Sequence, residues 1–452
     1  MRKKVLFITI VLLITVLFAA CSKGSEGDSA PQIGAAEDSG EERIVLTLGT
    51  VTSSAALRKQ VDAFNQQNSE YMIEIKEYGS ENVLGSDGIN TIQMEILAGK
   101  GPDLIDFGNL YTKGAVSKGI TEDLSLYMEA DEEFHEEDYF TNILDAYLVD
   151  GKRYVVSPWF SVKTVAGRRE DIGDMAGWNM QELMDRYQSL HKSILMPGDS
   201  RAEVFGFLGM GSMGNFVDWE QGTCSFEGEA FRALIAFCDL FPEYRVYEED
   251  YSALEKFRSG EAFVYPASIS DVYDAAKIRL IFGDVPINYI GYPMDGKSGN
   301  IVVPGRIVLG INKNSSYKEA AWEFIKSFLL ETYQSGIESG IPVLRSEVEQ
   351  RLAKAKQIEY EQDENGNQVP VVKAESLWEG DDPIEIVCIT EQDAEDFMKI
   401  ITGAKAAYGV DYALNDIVWE EINLYFNEGR DLDSVLDTLQ SRASVFMSEN
   451  YQ

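Results

Sequence analysis

Gly291-Tyr292-Pro293-Met294-Asp295-Gly296-Lys297-Ser298 spells the GxxxxGKS of a phosphate-binding loop, and Gly209-Met210-Gly211-Ser212-Met213-Gly214 spells the GxGxxG of a dinucleotide site. Both patterns do their chemistry only where a helix opens from the glycines and aims its first amides at phosphate. The first is followed by Gly299-Asn300, the β-type run Ile301-Val302-Val303 and Pro304, so it reads as a turn. The second runs into Trp219-Glu220-Gln221-Gly222, which breaks a helix soon after it could begin. It reads as a glycine-rich loop whose bare backbone can approach a ligand closely. Hydrolytic chemistry has little to draw on. The chain holds two histidines, His135 and His191, and no GxSxG elbow. Two histidines and no CxxC exclude a zinc or iron cluster, so neither a metal nor a cofactor is expected. Asp363-Glu364-Asn365-Gly366-Asn367 lacks the ligand spacing of a calcium loop and reads as a hairpin tip. Carboxylate pairs for glycoside cleavage exist at every separation among 76 acids, and the sequence singles out none. Past Cys21 three cysteines remain; Cys224 and Cys238 are the nearest pair, but Cys238 sits in the apolar run Leu234-Ile235-Ala236-Phe237-Cys238, where a buried free thiol is expected.

The charge balance removes another class. Against 76 acidic residues stand 39 basic ones, a net charge of −37 over 452 residues, and that field repels the phosphate backbone of nucleic acid. A hydrophobic content of 45% with 25% charged residues describes a large globular chain of more than one core-sized unit.

The first residues set the compartment. Met1-Arg2-Lys3-Lys4 is basic and Val5 to Ala20 is almost wholly apolar, the charge-then-hydrophobe order of a secretory signal over residues 1–20. The run is shorter than the ~20 residues a membrane span needs. Its end, Leu17-Phe18-Ala19-Ala20-Cys21, resembles a bacterial lipobox, with Phe18 where that motif usually has Leu. The resemblance implies cleavage before Cys21 and lipid on the new N-terminus. Residues 21–42, rich in Ser, Gly, Asp and Glu, read as a flexible tether holding the folded body at the outer membrane face.

The elements that position any site come next. Ile44 to Leu48 is a short β-type run, and Ser53-Ser54 caps a helix with Leu57, Val61 and Phe64 on one face. Tyr71, Ile73 and Ile75 then alternate with Met72, Glu74 and Lys76, a strand. Ile89, Ile92 and Ile96 mark a second helix stopped by Gly99, and Leu104-Ile105 a third strand. Strands alternating with helices imply parallel pairing, with ligand loops at the carboxyl ends of the strands. Further helical stripes fall at Leu183, Tyr187 and Leu190, at Phe231 to Cys238, at Ala320 to Phe328 and at Leu432 to Phe446, all assigned to packing.

Six segments in order carry a family resemblance: Leu97-Ala98-Gly99-Lys100-Gly101-Pro102-Asp103-Leu104-Ile105, Gly151-Lys152-Arg153-Tyr154-Val155-Val156-Ser157-Pro158, Gly177-Trp178-Asn179-Met180-Gln181-Glu182-Leu183, Phe257-Arg258-Ser259-Gly260-Glu261-Ala262-Phe263, Lys318-Glu319-Ala320-Ala321-Trp322-Glu323-Phe324-Ile325 and Gly340-Ile341-Pro342-Val343. With these the chain from Arg43 onward resembles the extracellular solute-binding proteins of ABC importers, in the branch typified by the maltose-binding protein. That resemblance implies an α/β fold of periplasmic-binding-protein type II, with two α/β lobes, a hinge and a cleft between them. It implies residues 43–158 plus 267–311 for the first lobe and 159–266 plus 312–452 for the second. It also implies a monomer that closes on a small solute and delivers it to membrane permease subunits.

A carbohydrate cleft wants flat aromatic platforms beside carboxylates, amides and hydroxyls. The expected ligand contacts are Thr50 and Thr52 after the first strand, and Phe107, Asn109 and Tyr111 after the third. Trp159 at the lobe crossing, and Ser268, Asp271 and Tyr273 after the second crossing, complete the set. Trp178, Trp322 and Trp419 read as core, while Trp219 and Trp378 stand in irregular stretches that suit either role. A sugar or oligosaccharide is the first expectation. A peptide, polyamine or other cationic solute, drawn by the acidic balance, is the second. A secreted carbohydrate-processing enzyme is the reading from a different class.

Overall fold

In a computed structural model, the protein is described over residues 43–451 apart from 80–84, 109–113, 115, 117–118, 245–251, 296–298, 378–380 and 408–410. The signal, Cys21 and the tether lie outside the described residues, as do Asn109, Tyr111 and Trp378. Among the described residues no helix is long and apolar enough to cross a membrane.

The first sheet is built as the local patterns require. β1 (Ile44–Thr50) pairs in parallel with β2 (Tyr71–Glu77) and with β3 (Leu104–Asp106). Each crossover is a helix with one apolar face. Ala55–Gln67 starts at Ser54, whose hydroxyl accepts from the Leu57 amide, and buries Leu57, Val61 and Phe64. Gly85–Leu97 buries Ile89, Ile92 and Ile96, and Gly99 ends it at φ +73°, a backbone setting that favours glycine.

The chain leaves this sheet along β4 (Trp159–Arg168), the central strand of the second sheet. The hairpin β5 (Val217–Asp218) and β6 (Thr223–Cys224) stands apart from it. β7 (Val264–Ile269), β8 (Ile287–Tyr289) and β9 (Ile301–Pro304) all pair antiparallel with β4. Only then does β10 (Leu309–Ile311) return to the first sheet, antiparallel to β3. β11 (Ile341–Pro342) pairs with the start of β4. β12 (Tyr360–Gln362) and β13 (Gln368–Pro370) form the expected hairpin, and Asp363 at its tip accepts from the amides of Asn365 and Asn367. β14 (Lys373–Glu375) pairs with β15 (Ile384–Ile386), and β16 (Ala406–Ala407) lies parallel to β9.

This pairing fixes which strands share a sheet. Of residues 267–311, β7 through β9 stay on the second sheet, because β4 is ten residues long and offers them sides on which to pair. The helix Lys318–Ser327 packs on the helix of the first crossover. Phe324 meets Phe64 edge to face at 5.2 Å, and the Gln60 amide donates to the Ser327 hydroxyl at 2.8 Å. The chain returns to the first sheet at β10.

One apolar core runs beneath the first sheet and on to one face of the second; another fills the opposite face of the second sheet. Phe205, Phe216, Phe226 and Phe231 interlock edge to face in that second core, at centroid distances of 4.9 to 6.0 Å in the closest pairs. Trp178 and Trp322 are core residues as expected, and Cys224, Cys238 and Cys388 are free thiols.

Candidate functional site

The parallel strands of the first sheet end together, and their last residues meet the returning chain. Asp106 closes β3 and is buried. Its Oδ1 accepts from the amides of Val308 and Gly108, both at 3.0 Å, and its Oδ2 accepts from Thr50 Oγ1 at 3.2 Å. Burial pushes this carboxyl up to about 6, against the pull of those three donors. Beside it, the Tyr333 hydroxyl is held above its ordinary range, first by burial and then by the charge of Asp106. At the mouth, Glu77 accepts from the Ser53 amide, and Arg58 donates to the Ser53 carbonyl oxygen at 2.7 Å. Thr52 is exposed on the same loop.

The crossing between the sheets is made around Trp159. Ser157 Oγ reaches the carbonyl oxygens of Trp159 at 2.8 Å and Ile307 at 3.1 Å, and accepts from the Gly305 amide at 2.9 Å. The half-buried indole lies against two glycines from distant segments, Gly305 just after β9 and Gly340 just before β11. A methyl group on Gly305 would fall 2.5 Å from the Trp159 pyrrole ring, and one on Gly340, where φ is +94°, would collide with the same ring. Gly340→Val therefore meets both a forbidden backbone setting and the indole. We expect it to lower stability by about 3 kcal/mol, read by denaturant unfolding, with Gly336→Val costing much less.

The second lobe supplies a cavity of about 450 Å³ around the β5–β6 hairpin, within the size range of small-molecule sites. Asn215, Asp218, Trp219, Glu220 and Thr223 line it, so it offers an aromatic ring, two carboxylates, an amide and a hydroxyl. Asn215 is held by its own bonds to the next loop: its amide donates to the Pro293 carbonyl oxygen at 2.7 Å and its Oδ1 accepts from the Asp295 amide at 3.1 Å. Trp219 is half-buried, with its ring 5.1 Å from that of Tyr451. The preceding glycine-rich stretch is not the open loop its sequence suggests. Gly206–Met210 winds as a single π-helical turn, in which the absence of a side chain on Gly209 lets the backbone lie against the Phe205 ring. The GxxxxGKS stretch lies between β8 and β9, and the Tyr292 amide donates to the Gly299 carbonyl oxygen; Gly296, Lys297 and Ser298 lie outside the described residues.

Set against these geometries, the sequence-derived contacts divide. Trp159 stands at the crossing and Thr52 at the first mouth. Thr50 is buried with its hydroxyl committed to Asp106, so it braces the wall without facing it. Phe107 is 2% exposed and packs in the core beside Gly310, because its backbone pairs with Val308 and turns the ring inward. Ser268 lies within β7 and Asp271 and Tyr273 follow it; β7 never leaves the second sheet, so no second crossing precedes them. Ser268 pairs with Lys163, Asp271 accepts from the Tyr273 amide, and Lys373 sits 4.3 Å above the Tyr273 ring. Asp106 went unnamed by sequence reasoning, and of the Asn215 to Thr223 group only Trp219 was singled out, as suiting either packing or ligand contact. A carboxylate ending an apolar strand was the signal for the first, and a tryptophan between acids, Asp218-Trp219-Glu220, for the second.

Among the described residues no three His, Cys, Asp or Glu side chains gather as a metal ion would need. Comparison with known proteins gives a consistent result. A family model described as bacterial extracellular solute-binding protein matches residues 59–337. No curated protein sequence matches. Among solved structures, the sugar-binding protein MalE from the phytopathogen Xanthomonas citri superposes with a TM-score of 0.51 at 17% identity, covering 90% of this chain and 98% of that one. An extracellular solute-binding protein of family 1 from Alicyclobacillus acidocaldarius gives 0.51 at 12%, covering 90% and 99%. A periplasmic solute-binding protein from Pectobacterium atrosepticum gives 0.50 at 14%, covering 90% and 100%. At such identities the likeness is one of fold.

Proposed function

The chain belongs to the bacterial extracellular solute-binding protein family, and from that membership we propose that it is the lipid-anchored receptor of an ABC importer, taking a sugar or oligosaccharide between its lobes. The observation that carries the sugar is the makeup of the second-lobe cavity. Trp219 offers a flat face to apolar C–H groups, while Asp218, Glu220, Asn215 and Thr223 suit a rim of hydroxyls. The mouth of the first lobe, with exposed Thr52 beside the Ser53–Glu77 pair, adds polar groups of the same kind, and buried Asp106 braces it from behind. Two sheets joined through the narrow crossing at 157–160 and 304–309 suit a hinge, and captured solute would favour the form in which both walls touch it. The reading is of a receptor and not an enzyme: capture and release break no covalent bond, and delivery falls to a permease in the membrane.

Thermal shift across mono- and oligosaccharides, amino acids and polyamines tests the cargo. The expected result is a higher melting temperature with a saccharide, and unchanged saccharide recovered afterwards. A shift confined to polyamines or peptides overturns the sugar, and saccharide cleavage overturns the receptor. The anchor has its own test. Cys21→Ser is expected to abolish labelling by palmitate and to move the protein from the membrane fraction to a soluble one. Retention at the membrane without label would contradict it.

A further inference from the structure

Tyr451, the residue before the chain's last, stands at the end of the helix Leu432–Tyr451 in the second lobe. Its ring is fixed from three sides there: Trp219 at 5.1 Å, Phe446 at 6.3 Å, and Asp411, whose Oδ2 accepts from the tyrosine hydroxyl at 2.7 Å. Asp411 is itself immobilised as the cap of Tyr412–Glu428, accepting from the amides of Ala413 and Leu414. On its fourth side the ring meets the other lobe. Gly114 lies beyond β3, two residues before Val116 of the first core, and it is buried against the tyrosine. A methyl group placed on Gly114 would fall 2.6 Å from Tyr451 Cε1 and 2.7 Å from Cζ, so only a residue without a side chain lets the ring come this close.

We propose that Tyr451 on Gly114 is a latch across the rim of the cleft, which raises the population of the closed form before any cargo arrives. Tyr451 packs on the second core from the last helix and Gly114 stands in the chain just beyond β3 of the first sheet, so opening the lobes must part them, and the apolar surface they share must then meet water. A receptor whose closed form is only partly populated binds with an apparent affinity reduced by that fraction, so the latch sets affinity without touching the cargo. Trp219 couples the two: it packs on the latch and lines the cavity. This inference rests on the receptor reading for its effect on affinity, but not for its effect on the empty protein.

The test uses the full-length lipoprotein in detergent without added solute, with hydrogen exchange as the readout. Tyr451→Ala is expected to raise exchange in the peptide covering Gly114 as well as in the peptide covering Trp219. Tyr451→Phe, which keeps the ring and loses the hydroxyl that bonds Asp411, should change the Gly114 peptide little. Gly114→Val leaves every second-lobe partner of Tyr451 in place, yet it should raise exchange around Trp219. Faster exchange around Trp219 alone in Tyr451→Ala, with Gly114→Val silent there, would show a packing residue within one lobe and overturn the latch. With maltotriose as probe, Tyr451→Ala should weaken binding about fivefold, the low end of coupling between distant sites. If maltotriose fails to bind the unaltered protein, the sugar reading fails and the exchange result still decides the latch.

Discussion

Trp219→Ala is expected to weaken saccharide binding about thirtyfold while moving the melting temperature of the empty protein only slightly. A tryptophan face in a small-molecule or partner site contributes on the order of 2 kcal/mol, which is about thirtyfold in affinity. The ring is half-buried and makes no hydrogen bond among the described residues, so its loss costs the empty protein mainly its contact with Tyr451. Titration calorimetry with the saccharide that gives the largest thermal shift checks this. Trp219→Phe, which keeps a smaller apolar face, should fall between. Equal affinities in all three proteins would mean that the cavity at β5–β6 is not where the cargo rests. A collapse in melting temperature would mean that the indole is structural.

The second large effect concerns Asp106 and pH. An unfolded aspartate titrates near 3.9, whereas burial raises Asp106 to about 6 in the fold. A raised folded value means that the native state holds its proton more tightly than the unfolded one. Its contribution to stability is therefore complete below about pH 4 and is lost as pH climbs through about 6. Two units at about 1.4 kcal/mol each amount to about 3 kcal/mol. Asp106→Asn carries no such titration, and its amide can donate to Thr50 while its oxygen accepts from Val308 and Gly108. We expect the asparagine variant to unfold in denaturant at higher concentration than the unaltered protein at pH 7.5, and the two to converge near pH 4. Asp106→Ala does the opposite. At pH 4.5 it strands two backbone amides, at about 1 to 3 kcal/mol each, and should be clearly the weakest of the three. Parallel pH profiles for the aspartate and asparagine proteins would show that the carboxyl titrates normally.

How far the sequence predicted this molecule differs between element and assembly. Leu57, Val61 and Phe64, or Ile89, Ile92 and Ile96, announce their helices because a period near 3.6 is a local property. Which sheet β7, β8 and β9 join was not legible, because their pairing with β4 joins residues far apart in the chain, and nothing in the run Val264 to Ile269 states which strand it will meet. The site divides in the same way. Trp159 was named because it follows Ser157-Pro158 at a family crossing, but the glycines that seat it, Gly305 and Gly340, come from distant segments. Phe107 failed as a ligand platform because exposure is decided by the chain that returns over it at Val308, not by its own loop. Asp106 escaped notice for the converse reason: a carboxylate looks solvated until the donors that bury it are known.

The account's central claim is that cargo, not bond breaking, drives the two lobes together. Small-angle scattering of the full-length protein in a contrast-matched detergent, before and after the saccharide chosen by thermal shift, tests it most directly. Closure predicts a smaller radius of gyration on saturation, reversed when the same saccharide, chemically unchanged, is dialysed away. Superimposable profiles at saturation, or a profile that changes only as the saccharide is consumed, would contradict it.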